Sequence, residues 1–285
     1  MIRALLLTSR PLSWVNTAFP FAAAYLVASG RIDATLVIGT LFFLVPYNLA
    51  MYGINDVFDY ESDLRNPRKG GVEGALLQPR WHRATLLASG ILALPFVVYL
   101  VAIGGPASRL VLAISLFAVV AYSVKGLRFK ERPFLDSVTS SIHFVSPAVY
   151  ALVLVGATFT PGLIAVLVAY FLWGVASHAF GAVQDVVADR EAGIGSVATV
   201  IGARATVRVA IALYLLAGVL LLFTGFPGAL AAVLVVPYAI NAGPWWNVDD
   251  ESAPTANRGW RRFLWLNFAT GFLVTMLLIA YVLIR

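Results

Sequence analysis

Along this chain, long apolar runs alternate with short polar connections. Nine runs stand out, near 11–29, 34–54, 84–103, 108–124, 137–156, 162–183, 205–224, 227–242 and 263–284. A helix crossing the hydrocarbon core of a bilayer needs about 20 mostly apolar residues. Runs this long and continuous predict membrane-spanning helices rather than half-buried strands or soluble helices with one polar face. The connections are too short for a separate soluble domain. The expectation is therefore one all-α integral membrane domain over residues 1–285, with about nine transmembrane helices in one bundle.

Composition agrees with the pattern. Of 285 residues, 60% are hydrophobic and 12% charged, against the roughly 25% charged residues of soluble domains. The chain contains no cysteine, which excludes disulfides and thiolate metal sites. A net charge of +6 raises nucleic acid as a partner, but the placement of the charges excludes it. With the N-terminus in the cytoplasm and nine helices threaded, 17 of the 20 Lys and Arg residues fall on the cytoplasmic side, leaving only Arg31, Arg109 and Arg285 opposite. That bias sets the orientation of a multi-pass plasma-membrane protein, with its C-terminus on the far side. The basic flank and the small residues Ala22 to Ala24 raise a cleaved signal peptide as an alternative, but Trp14, Asn16 and Pro20 interrupt the apolar core and favour a retained helix.

The acids change the picture. A carboxylate at a helix centre in a membrane costs about 2.5–3.5 kcal/mol on insertion scales, and 13 of the 14 Asp and Glu residues lie on the cytoplasmic side, Asp33 excepted. Many of them gather in two clusters, one from Asn55 to Asp63 at the end of helix 2 and one from Asp185 to Glu191 at the end of helix 6. If helix 2 continues through its cluster, Asp56, Asp59 and Asp63 fall at i, i+3 and i+7 on one face, with Asn48 and Tyr52 on the same stripe deeper in the membrane. Asp185 and Asp189 share a face of helix 6, and His178 lies two turns deeper. Carboxylate stripes facing lipid would be untenable, so the two are expected to face each other across a polar cavity.

Hard cations such as Mg2+ take oxygen ligands and share them with substrate phosphates. Basic residues lie nearby in sequence: Arg68 and Lys69 after the first motif, Arg190 after the second, and Lys125, Arg128 and Lys130 between helices 4 and 5. Acids for a metal and bases for phosphate oxygens predict a diphosphate site. A single Asp-x-x-x-Asp is usually no more than a solvated helix end; two motifs in matching loops four helices apart are harder to dismiss. The same offset suggests a pseudo-repeat, helices 1–4 and 5–8 as similar halves with helix 9 added, a design that often puts sites at the interface between halves.

At Asn55-Asp56-x-x-Asp59-x-x-x-Asp63 and Asp185-x-x-x-Asp189 the chain resembles the UbiA superfamily of intramembrane prenyltransferases. Arg10-Pro11 before helix 1 and Tyr122-Ser123 before a basic loop resemble it too. The stretches Arg65 to Gly74, Leu127 to Phe134 and Gly181 to Asp185 are similar to bacterial lycopene elongases, a branch that builds C50 carotenoids. There Gly70-Gly71-Val72-Glu73-Gly74 replaces the Arg-Pro segment usual in the superfamily. The resemblance implies Mg2+-dependent transfer of a C5 unit from dimethylallyl diphosphate to the ends of lycopene, a lipophilic acceptor entering from the bilayer. It implies metal ligation by Asp56, Asp59, Asp63, Asp185 and Asp189 with Asn55 beside them. It also implies diphosphate contacts from Arg68, Lys69, Lys125, Arg128 and Lys130.

Aromatic faces stabilise allylic cations, which makes Tyr52, Phe58 and Tyr122 candidates for the pocket alongside Asn48. His143 and His178 are candidate proton acceptors, Asp136 sharing a face with His143. The Trp245, Trp246 and Trp260 group reads as an interfacial belt. An aromatic acceptor is the nearest alternative. A membrane alcohol phosphotransferase lacks its Asp-Gly-x-x-Ala-Arg lead-in here, and a transporter would place its acids near mid-membrane.

Overall fold

The computed structural model describes residues 2–64 and 76–284, with the backbone alone for Ser62 and Asp63. Arg68, Lys69 and the Gly70 to Gly74 stretch lie outside the described residues, as does the side chain of Asp63. Among the described residues the structure is helical, without strands. In chain order the α-helices are α1 (Ile2–Thr8), α2 (Val15–Ser29), α3 (Ala34–Leu44), α4 (Pro46–Phe58), α5 (Tyr60–Asp63), α6 (His82–Ile103), α7 (Pro106–Ser123), α8 (Leu135–Leu154), α9 (Pro161–Val183), α10 (Val186–Glu191), α11 (Val197–Ile201), α12 (Ala203–Leu221), α13 (Val236–Ala242) and α14 (Asn257–Ile284).

Among the described residues, eight helical segments are long and apolar enough to cross a membrane. The first apolar run is the one that falls short. Its α-helix, α2, has 15 residues, about 22 Å at 1.5 Å per residue against a core of about 30 Å. Before it, Pro11–Ser13 forms a separate 3-10 turn. The eighth run also differs from a plain helix, being a 3-10 stretch over Gly228–Val235 that passes into α13.

Two compact units are present, residues 1–129 with 142–157, and residues 130–141 with 158–285. The first is built on aromatics, Phe21, Phe42, Phe43, Tyr47 and Tyr150 all being fully buried. Gly39 is what lets α2 and α3 meet, because the Phe21 ring occupies the place a Cβ would take. The expected second helix is broken between α3 and α4, where Pro46 has no N–H to donate. In lipid no water can satisfy the carbonyls left over, and side chains do so instead. Thr17 Oγ1 donates to the Phe43 carbonyl at 2.6 Å, and Asn48 Nδ2 lies 2.8 Å from that carbonyl, 3.0 Å from that of Leu44 and 2.7 Å from Thr17 Oγ1. Asp33, the acid apart from the others, caps α3 by accepting from Leu36 N and from the Tyr25 hydroxyl.

In the second unit α9 packs along α12 through small residues, Ala169, Ala176, Ala210 and Ala217 being buried there. Small side chains let helix backbones approach where lipid gives no hydrophobic drive for association. Ser177 and Tyr214 add a buried hydroxyl pair at 3.1 Å. Asp136, on the first turn of α8, is fully buried and accepts from Ser137 N at 2.7 Å and from Val197 N at 2.8 Å. Its carboxylate therefore satisfies an orphan donor at the start of α11.

Candidate functional site

The first motif sits where α4 ends. Asp59 N donates to the Asn55 carbonyl at 2.9 Å, and α5 resumes the helical path one residue later. The helix loosens at Asp59 without turning away, so Asp56 and Asp59 keep their i, i+3 relation. Both are buried, at 1% and 5% exposure. Burying two like charges so close in a low-dielectric setting requires nearby cations. Arg10 supplies one: its Nη2 lies 2.9 Å from Asp56 Oδ1, and its guanidinium carbon lies 4.2 Å from the centre of the Tyr52 ring. Arg128 supplies another, Nη2 lying 3.7 Å from Asp59 Oδ1 while Nη1 reaches the Phe58 carbonyl at 3.4 Å. Both arginines have left-handed backbones, φ 50° and 40°. A non-glycine residue holds that conformation only where its surroundings impose it.

Asn55 is tied from α7, Ser123 Oγ donating to its Oδ1 at 3.0 Å. Tyr122, one residue earlier, meets the buried His143 edge to face, with ring centres 5.3 Å apart. Expected residues from three parts of the sequence, Asn55 to Asp59, Tyr122 with Arg128, and His143, therefore fall within one unit. Lys125 is exposed and Lys130 half-buried in the Phe129–Glu131 turn. Asn48 is fully buried, its amide nitrogen serving the break before α4.

Around the second motif, α9 ends at Val183 and Asp185 occupies the position just before α10. Asp189 N donates to the Asp185 carbonyl at 2.8 Å, so the two aspartates keep helical i, i+4 spacing. Both are half-buried. Gln184 Oε1 accepts from Asn257 Nδ2 at 2.6 Å, and the Trp260 ring lies 2.8 Å from where a Cβ at Gly181 would stand. These contacts fasten the start of α14 to the end of α9. Arg190 turns to structural partners instead of remaining beside the motif as expected. It binds Asp250 at 2.5 Å and the Thr199 carbonyl at 3.0 and 3.2 Å. The Asp250 carboxyl is held below its ordinary range by the Ala203 N–H and then by Arg190. His178 Nδ1 lies 3.1 Å from Ser137 Oγ.

The tryptophans divide. Trp246 is exposed beneath Arg208, as a belt residue would be, whereas Trp245 is buried with Nε1 donating to Thr255 and Trp260 stacks on Phe263. Trp245 and Trp260 are packing residues.

Among the described residues no three acids or histidines converge into a complete metal cage. Mg2+ needs none, since one or two carboxylates plus substrate phosphates suffice. Asp56 and Asp59, with the Asn55 amide beside them, form an all-oxygen donor set on one helical face, which fits that cation. Arg10 is the residue that sequence reasoning missed at this site. Its signals were the charge count, which placed it at the same membrane face as Asp56, and the Arg10-Pro11 pair that resembles the family.

A family model described as the UbiA prenyltransferase family matches residues 17–268. The chain is 57% identical over 285 residues to the C(50) beta-cyclic carotenoids biosynthesis protein LbtBC of Dietzia sp., covering all of this chain and 66% of that protein. It is 53% identical over 279 residues to a lycopene elongase/hydratase of Corynebacterium glutamicum, covering 98% and 97%. The chain thus spans just under two thirds of the Dietzia relative and nearly all of the Corynebacterium one. In structure it is similar to a UbiA homolog from Archaeoglobus fulgidus bound to DMAPP and Mg2+, with a TM-score of 0.69, 18% identity and coverage of 94% and 98%.

Proposed function

This chain belongs to the UbiA prenyltransferase family, and on that premise we propose that it transfers a C5 unit from dimethylallyl diphosphate to the ends of lycopene in C50 carotenoid synthesis. The observation that carries the reading is the buried Asp56 and Asp59 pair, with half-buried Asn55 beside it, held between two arginines at the end of an apolar helix. The names of the Corynebacterium and Dietzia relatives support the acceptor.

Asp56, Asp59 and Asp63 of the first motif and Asp185 and Asp189 of the second are the proposed Mg2+ ligands. The cation, when bound, supplies charge neutralisation as the allylic C–O bond opens. Asn55, oriented by Ser123, stands beside the first set. Arg68, Lys69, Lys125, Arg128 and Lys130 are the proposed contacts to the diphosphate oxygens. Tyr52, Phe58 and Tyr122 offer ring faces to the allylic cation. Asn48 belongs to the floor of the pocket through the helix break it maintains. The acceptor double bond attacks, and the resulting tertiary cation takes up water and releases a proton, a fate supported by the name lycopene elongase/hydratase of the Corynebacterium relative. His143 and His178 are the candidate proton acceptors. The proposed setting is the plasma membrane, as one membrane domain with the basic side and the N-terminus cytoplasmic and the acceptor arriving from the bilayer.

The test is incubation of membranes containing the protein with lycopene, labelled dimethylallyl diphosphate and Mg2+, followed by mass analysis. Products heavier by one C5 unit and one water per end are expected. Labelled aromatic products, with lycopene untouched, would replace this acceptor with a quinone precursor.

A further inference from the structure

Arg10 is not placed for topology alone. It lies in the turn between α1 and α2, yet its guanidinium is packed between the Tyr52 ring and the Asp56 carboxylate, both on α4. The backbone is fixed on each side: Arg10 N donates to the Leu7 carbonyl at 3.1 Å, Ser13 N donates to that of Arg10 at 2.8 Å, and Trp14 Nε1 donates to the Ser9 carbonyl at 3.0 Å. The left-handed φ of 50°, ahead of Pro11, is a conformation arginine adopts only at a cost. The turn is thus built to deliver this side chain to α4, while the side chain itself remains 19% exposed and able to swing.

Asp56 cannot serve a guanidinium and a dication alike without expense. Mg2+ demands a close carboxylate oxygen in near-octahedral geometry, and a second cation within hydrogen-bond distance of the same carboxylate opposes it by Coulomb repulsion. A diphosphate changes the balance, since it offers the guanidinium a bidentate oxygen partner in place of the carboxylate. The Tyr52 face holds the guanidinium in the site throughout.

We propose that Arg10 is an exchangeable counter-ion, bound to Asp56 in the resting enzyme and handed to the diphosphate when metal and substrate bind together. The proposal rests on the reading of Asp56 as a metal ligand. Its consequence is coupling: the metal alone binds weakly, and metal and diphosphate each strengthen the other, reciprocally. Resting Asp56 keeps a compensated charge in an apolar setting, and the site is not filled by free cations.

The experiment is a titration of the purified full chain with Mn2+, with and without inorganic pyrophosphate, followed by the electron paramagnetic resonance of free Mn2+. In wild type, pyrophosphate tightens Mn2+ binding. Arg10→Gln tightens binding of Mn2+ alone and lowers the coupling, each by on the order of tenfold. Arg10→Lys, which keeps the charge but not the planar stack, falls between the two. Unchanged or weaker Mn2+ binding in Arg10→Gln, with normal coupling, would overturn the exchange and leave Arg10 as a structural clamp. Asp56→Asn separates the two levels. If it leaves Mn2+ binding untouched, or if wild type binds no Mn2+ even with pyrophosphate, the metal-ligand reading itself fails and takes the exchange with it.

Discussion

The two aspartate motifs look alike in sequence and are built differently. Asp56 and Asp59 are buried, and arginines from distant segments lie against them. Asp185 and Asp189 are half-buried, and the arginine next to them in sequence is drawn off to Asp250 and the Thr199 carbonyl. The first motif is arranged around charge compensation, so the contacts that hold it are also the ones its proposed chemistry would draw on. Around the second, Gln184 is tied to Asn257 and Gly181 packs against Trp260. Adjacency in sequence predicted the partner of neither region. Arg10 is 46 residues from Asp56, and Arg190 is 60 from Asp250.

The largest expected effect is on turnover, where the two regions should agree. Asp59→Asn and Asp189→Asn should each lower product formation at saturating Mg2+ by roughly 10²–10³-fold or more, as removal of a preorganised electrostatic contact does. Near-normal product formation in either variant, with normal detergent-extracted yield, removes that residue from the metal set.

Stability should separate the regions. Asp56→Asn leaves Arg10 without its charged partner and should cost about 1–3 kcal/mol. Asp189→Asn, on a half-buried site, should fall within about 0.5 kcal/mol of wild type. Thermal unfolding in detergent measures both, and equal losses would erase the distinction drawn between a compensated motif and a braced one.

A smaller effect is expected on donor choice. Tyr52 belongs to the first region alone, and replacing its ring by alanine opens space one turn below Asp56 while freeing the Arg10 guanidinium from its stack. Tyr52→Ala should raise the share of C10 over C5 product from mixed donors by a few-fold, in line with the modest selectivity of apolar pockets, about 1–3 kcal/mol per methylene. Tyr52→Phe, which keeps the ring, should not. An unchanged ratio in an active alanine variant would take Tyr52 out of the donor pocket.

The smallest effect concerns the brace of the second region. The carboxyl of Asp250 is depressed in the fold, first by the Ala203 N–H and then by Arg190. A depressed carboxyl contributes stability that is fully present above its unfolded pKa of about 3.9 and is lost as pH falls through the folded value. Wild type should therefore lose more stability than Asp250→Asn on acidification below about pH 4, by no more than about 0.5 kcal/mol, since both partners are more than a third exposed and solvent screens the pair. Parallel unfolding curves across that range would show that the bridge contributes nothing.

Sequence alone determined the class of the protein, most of its long apolar helices, and the helical spacing within the two aspartate motifs. All of these follow from hydrophobic transfer and helical periodicity, which act residue by residue along the chain. Asn55 to Asp59 and Asp185 to Asp189 were legible because i, i+3 and i, i+4 spacings survive small irregularities such as the loosened turn at Asp59. What tertiary structure decided is which charge meets which. Arg10 and not Arg190 lies against a motif aspartate, Asp136 holds the start of α11, and Asn48 repairs the break at Pro46. Long side chains choose among partners by desolvation and geometry set by helix packing, and no local pattern in the sequence encodes that choice.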